Sequence, residues 1–432
     1  MEIKELASDR LEEKIREVQL DNGLKLFYMP KKGFSKKYAI FTTKYGSNDN
    51  RFVPLGKDEF EDVPEGIAHF LEHKLFEEPE GNIFNEFSKL GSYVNAFTNF
   101  NQTAYLFSCT ENFYENLSLL IKFVQNPYFT DENVNKEKGI IEQEIKMYDD
   151  EPGWKVFFNC LKGMYKKHPV RIDIAGTVES INKITKETLY KCYNTFYHPS
   201  NMILFMIGDL DFEKSIDKIM NVMKESPSNN VKEIKRFYSK EPKEINEKYI
   251  EESLAVSVPL FNMGFKDLDI GTDGTELLKR NIETEILLEM LFGSSTEFYQ
   301  YLYDSGLIDN SFGFQYVGHK DYGHSIIGGQ SEDPNKVSEE ILKYVEKLKL
   351  EGLKEELFIR MKNKLMGYHI MDFNSLENIA NGFASYYFDN ISLFDYIYIL
   401  EKITLKDVEN RLKAHLTKDN YTLSIIYPRK DI

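Results

Sequence analysis

The sequence predicts an α+β protein made of two homologous halves, each a mostly antiparallel sheet flanked by helices. Three observations predict it. Strand-like and helical stretches both recur through the first 223 residues. The most polar, proline-containing stretch, KESPSNNVKEIKRFYSKEPKEINEKY at 224–249, then reads as a linker. Beyond it the chain begins again as an internal repeat. This divides the 432 residues into a half at 1–223, the linker at 224–249 and a half at 250–432.

Taken in order, the charged N-terminus reads as a helix. REVQLDNGLKLFYMPK follows as two strands around Asn22-Gly23, a hairpin turn signal. YAIFTTKYGSND is a buried strand ending in a turn, and 64–90 is helical by pattern. SYVNAFTNFNQTAYLFSC alternates in strand fashion. Helices are expected near 111–125, 131–149, 154–165, 179–183 and 186–197, before the buried strand MILFMIGD. The repeat aligns 181–211 with 400–431: both open a helix with Lys-Ile-Thr and close on an apolar strand. It also aligns EHKLFEEPEGNIFNEFSKLGS with LEMLFGSSTEFYQYLYDSGLI, setting Glu285 opposite His69 and Glu289 opposite His73. The second half thus has the scaffold without the histidines.

Charge narrows the function classes. Lys plus Arg number 54 against 70 Asp plus Glu, a net charge of −16. That balance argues against nucleic acid or an anionic membrane surface as the main partner. The N-terminus lacks the apolar core of a targeting peptide, and no apolar run suits a membrane span. Cys109, Cys160 and Cys192 are scattered without a CxxC and read as reduced core thiols of a cytoplasmic protein.

The chemistry concentrates in HFLEH, 69–73. His69, Glu72 and His73 stand at i, i+3 and i+4, so on a helix they share one face. Two imidazoles so spaced can reach one Zn²⁺, with the glutamate beside its open position. HxxEH is the inverse of HExxH. A third ligand is expected from NVNKEKGIIEQEIKMYDDEP, an amphipathic helix with Thr130 or Asp131 as its N-cap. Glu137 and Glu144 lie two turns apart on one face. Glu144 at the metal and Glu137 behind it would give a ligand and its support. The competing reading makes both solvated surface acids.

HxxEH followed by Glu-x6-Glu resembles the pitrilysin, insulin-degrading enzyme and mitochondrial processing peptidase family of inverzincins. HFLEHKLFE, NAFTNFNQTAYLFS, KEKGIIEQEIKMYDDEP and HPVRIDIAGTVESI look most like its YmfH-like bacterial branch. The resemblance implies a clamshell fold and a zinc-dependent endopeptidase acting on peptides or a small protein. It implies one Zn²⁺ held by His69, His73 and Glu144, Glu72 as the base that activates water, and Glu137 supporting the site. It further implies that substrate adds as a strand to a sheet edge, with Asn95, Ala96 and Phe97 as contacts. Phe97 and Tyr105 equally suit sheet core. The family's second half grips substrate with an Arg and a Tyr, and here Tyr303 and Asp309 stand at those positions. Tyr303 lacks the cationic fork. A related, non-zinc peptidase-like subunit is therefore expected to complete the site as a heterodimer. The alternative is a non-catalytic structural or peptide-binding subunit of the same fold. His168 and His198 precede proline and are expected to be structural.

Overall fold

A computed structural model describes residues 2–79, 81–223 and 234–429. Residues 224–233 of the expected linker lie outside the described residues. The chain begins with β1 (Ile3–Ser8), β2 (Glu13–Gln19), β3 (Lys25–Pro30), β4 (Lys37–Thr43), and the short β5 (Arg51–Phe52) and β6 (Glu61–Asp62). Next come α1 (Ile67–Leu75), the short β7 (Glu77–Glu78) and β8 (Gly81–Asn82), α2 (Phe84–Lys89), β9 (Tyr93–Thr98) and β10 (Thr103–Cys109). They are followed by α3 (Phe113–Gln125), α4 (Asp131–Asp149), α5 (Pro152–Met164), α6 (Val178–Ile181), α7 (Lys186–Phe196), β11 (Met202–Gly208) and α8 (Phe212–Val222). The remainder is β12 (Tyr249–Leu254), β13 (Leu260–Lys266), α9 (Gly274–Phe292), α10 (Glu297–Asp304), β14 (Gly313–Gly318) and β15 (Gly323–Gln330). It ends with α11 (Pro334–Glu351), α12 (Glu355–Asp372), α13 (Leu376–Phe388), α14 (Asp395–Lys402), α15 (Leu405–His415) and β16 (Tyr421–Pro428).

These elements form two compact units. The first takes 1–145, 172–237 and 371–388; the second takes 146–171, 238–370 and 389–432. So α5 belongs to the second unit, and α13, from far along the chain, packs on β4 and β11 of the first. Phe383 of α13 stacks on Phe205 and tilts against Phe27, filling one face of that sheet. The first sheet runs β1-β2-β3-β11-β4-β10-β9 and the second β12-β16-β13-β15-β14. Five strands repeat in order and sense. The parallel pair β3/β11 recurs as β12/β16, and every other corresponding pair is antiparallel. Thr185 and Thr404, the threonines of the repeated Lys-Ile-Thr, both close capping boxes, at α7 and α15.

Two expectations are corrected. The charged N-terminus is the antiparallel pair β1/β2, not a helix. Glu5 meets Lys14 at 3.3 Å and Arg16 at 3.7 Å across the strands, while β2 pairs on to β3. Cross-strand ion pairs and sheet docking override local propensity here. The helical pattern at 64–90 is split, because Pro79 and Gly81 turn the chain through the β7/β8 hairpin between α1 and α2.

In the second unit α5 lies directly on the sheet. A Cβ on Gly264 of β13 would come within 2.6 Å of the Cys160 sulfur, so only glycine permits that approach. Across the sheet sits a buried charged network. Arg411 pairs with Asp267, donates from Nε to Thr284 at 2.7 Å, and Tyr316 donates to the same carboxylate at 2.6 Å. Burial would raise the Asp267 carboxyl, but His415, Arg411 and these hydrogen bonds hold it well below the usual carboxylate range. No helix among the described residues is long and apolar enough to cross a membrane.

Candidate metal centre

All the site residues lie in the first unit. Helix α1 starts at Gly66, whose φ of 85° is left-handed and whose Cβ would meet the Ala175 carbonyl oxygen at 2.3 Å. Glycine alone fits there. Ile67, Ala68, Phe70, Leu71 and Leu75 bury one side of α1, which leaves His69, Glu72 and His73 together on its polar face. Helix α4 starts where Thr130 Oγ1 accepts from the Asn133 N–H at 3.1 Å, so Thr130 is the cap. Its buried stripe is Val134, Glu137, Ile141 and Ile145. A carboxylate in that apolar series requires a partner.

The partner is on α1. Glu137 Oε1 accepts from His73 Nδ1 at 3.0 Å, which turns His73 Nε2 toward Glu144 Oε2 at 3.7 Å. His69 Nε2 lies 3.7 Å from Glu144 Oε1. One nitrogen from each imidazole and a Glu144 oxygen all lie within 4.8 Å of one another. Two imidazoles and a carboxylate are donors that suit zinc, and His69, His73 and Glu144 would hold it here. Burial and the neighbouring His73 push the His69 imidazole down to about 3, leaving it neutral as a ligand must be. For His73 burial acts downward too. The Glu137 hydrogen bond and the charges of Glu72, Glu137 and Glu144 outweigh it and raise the imidazole.

Glu72 stands beside this set, 8% exposed. Burial pushes its carboxyl above the ordinary range; Thr98 and His73 act against that shift, and the Glu144 charge adds to it. Asn95, Ala96 and Phe97 lie on β9, the edge strand of the sheet. They do not share a face. Register pairs Ala96 with Tyr105 and Thr98 with Thr103, placing both on the α1 side, whereas Asn95 and Phe97 alternate to the other. Tyr105 is sheet core, fully buried with its hydroxyl 2.8 Å from that of Tyr197. His168 and His198 each accept a backbone N–H two residues on, from Val170 and Ser200.

Two residues at the site escaped the sequence reading. Thr98 donates to Glu72 Oε2 at 2.7 Å; the alternation of β9 signals that it faces α1. Lys74, next to His73, is fully buried, bonded to Glu77 at 2.5 Å and 3.7 Å from Glu137 Oε2.

Similarity to known proteins agrees with this geometry. The family model "Insulinase (Peptidase family M16)" matches residues 53–178, and "Peptidase M16 inactive domain" matches 183–365. The uncharacterized zinc protease YmfH of Bacillus subtilis is 47% identical over 99% of this chain and 100% of its own length. The chain belongs to the M16 (insulinase) family. Among solved structures, a "putative M16-like peptidase" from Alicyclobacillus acidocaldarius superposes with a TM-score of 0.93 at 37% identity, covering 98% of this chain and 100% of its own. A peptidase M16 inactive domain from Pseudomonas fluorescens shares the fold, with a TM-score of 0.79 at 15% identity over 96% and 98%. The M16 fold is therefore shared by chains described as proteases and by a domain described as inactive. The residues, not the fold, must carry the function.

Proposed function

We propose that this M16 chain is a zinc-dependent endopeptidase that cleaves peptides or a small protein, with His69, His73 and Glu144 as the ligands of one zinc ion. The observation that carries the reading is the convergence of two imidazole nitrogens and one carboxylate oxygen within 4.8 Å, next to a buried carboxylate outside the set. With only these three protein donors, a bound zinc would keep room for water, as catalytic zinc sites do and closed structural ones do not. When bound, zinc supplies Lewis acidity that makes water nucleophilic near neutral pH and stabilises charge on a carbonyl oxygen.

The chain's own residues do the rest. Glu72 takes the proton of the attacking water on its carboxylate and returns it to the leaving amine. Its raised carboxyl brings the proton affinity closer to that of the groups it serves. Glu137 holds the His73 proton on Nδ1, so that Nε2 keeps its lone pair for the metal. The open edge of β9 offers backbone groups to an extended substrate, with Asn95, Ala96 and Phe97 along it. Tyr303 and Asp309 stand where an Arg/Tyr grip is expected, and Asp309 is engaged with Ser311. This supports a working form paired with a related, non-zinc subunit.

The test is bound zinc, measured by elemental mass spectrometry, together with cleavage of a peptide library, with and without the related subunit. Glu72→Gln should keep one zinc per chain and lose hydrolysis. Full activity in Glu72→Gln would overturn the assigned base. A wild-type chain that binds zinc yet cleaves nothing under either condition would favour the non-catalytic reading.

A further inference from the structure

We infer that Thr98 is a positioning residue for Glu72, its hydroxyl fixing one carboxylate oxygen so that the other is presented to the reacting water. The inference rests on the reading of Glu72 as the base. Thr98 Oγ1 donates to Glu72 Oε2 at 2.7 Å. Beside it, Thr98 Oγ1 lies 3.3 Å from Thr103 Oγ1, and Thr103 Oγ1 donates to the Tyr45 carbonyl at 2.9 Å.

Proton counting sets the direction of this chain. A threonine hydroxyl has one proton and two lone pairs, and a backbone carbonyl only accepts. The Thr103 proton is therefore committed to Tyr45, which leaves the Thr98 proton free of Thr103. Thr98 has one proton to give, and the shorter contact takes it to Oε2. Thr98 and Thr103 are directly paired across β9 and β10, so the hydroxyls are held by the sheet ladder and by stiff β-branched side chains. A glutamate's terminal torsion is broad and two-fold, so a carboxylate without such a donor samples orientations in which neither oxygen is aimed. Its effect passes through Glu72, the carboxylate it donates to.

The test compares Thr98→Val, which keeps shape and loses the hydroxyl, with Thr98→Ser, which keeps it, in the zinc-loaded full chain with and without the related subunit. Peptide cleavage, zinc affinity by chelator competition, and the crystallographic orientation of the Glu72 carboxylate are read for each. Thr98→Val should lower kcat about 10- to 100-fold, leave KM and zinc affinity unchanged, and turn the carboxylate. Thr98→Ser should restore kcat and orientation. Wild-type kcat in Thr98→Val, a parallel fall in zinc affinity, or an unmoved carboxylate overturns the inference. Full activity in Glu72→Gln would instead remove the assigned base, and the carboxylate orientation in Thr98→Val still decides whether Thr98 sets it.

Discussion

The two units repeat the same five-strand order, yet they fill the space between corresponding helices differently. In the first, α1 and α4 bring His69, His73, Glu137 and Glu144 together. In the second, Glu285 and Glu289 of α9 stand opposite the two histidines in the repeat. Glu289 accepts from Lys364 of α12 at 2.7 Å and Glu285 accepts from Tyr396 at 3.0 Å. An ion pair and a phenol bond occupy the helix face that holds the donor set in the first unit. The buried series Phe358, Met361, Leu365 on α12 has the spacing of Val134, Glu137, Ile141 on α4, which sets Met361 in the Glu137 register. Met290 follows Glu289 as Lys74 follows His73. Both members of the buried Lys74–Glu137 pair therefore have methionine counterparts. Buried charges are tolerated as a set or replaced as a set, because one left alone carries its full desolvation cost.

Breaking that comparison gives the largest expected effects. His73→Ala should abolish stoichiometric zinc binding, measured by elemental mass spectrometry, and lower hydrolysis by at least about 100-fold. Next in size, Lys74→Met alone should destabilise the chain by about 3 kcal/mol in urea unfolding, since it removes the buried ammonium between Glu77 and Glu137 and leaves them only Lys136 and His73 as partners. Lys74→Met/Glu137→Met, which installs the second unit's own pair, should cost less than the single change. A double variant as damaged as the sum of its parts would dissolve the idea of a matched pair.

In the second unit the buried charge is neutralised internally, and acid should expose it. The Asp267 carboxyl is held below its unfolded value of about 3.9. Its contribution to stability is thus fully present above that pH and is lost as pH falls toward the folded value. Asp267→Asn should destabilise by about 3–5 kcal/mol at pH 7, and its stability should fall less steeply than wild type below about pH 4 in acid titrations followed by circular dichroism.

Smaller effects sharpen the contrast. Glu137→Gln should weaken zinc about 10- to 100-fold in chelator competition, the usual cost of removing the carboxylate behind a ligating imidazole. Glu289→Ala, at the position opposite His73, should leave zinc untouched and cost about 1 kcal/mol in urea unfolding for a pair that keeps some solvent contact. Loss of zinc in Glu289→Ala would mean that the second unit does more for the site than the repeat suggests.

Much of this was legible along the chain. The i, i+3, i+4 face of α1, a cap at Thr130 or Asp131 and the seven-residue spacing on α4, the Lys-Ile-Thr helix starts and the Asn22-Gly23 hairpin all involve neighbours in sequence, where helical and turn geometry fix which side chains meet. What sequence alone determined was thus the site's local halves, the family and the duplicated plan. Only the tertiary structure decided that β1 is a strand, that α5 and α13 each count with the unit built mainly from the other half of the chain, that Thr98 holds Glu72, and that Lys74 answers Glu137. The reason is physical: each of these depends on groups far apart in the chain, and on burial that charges a price for every unpaired ion, a quantity set by packing and not written in any one segment.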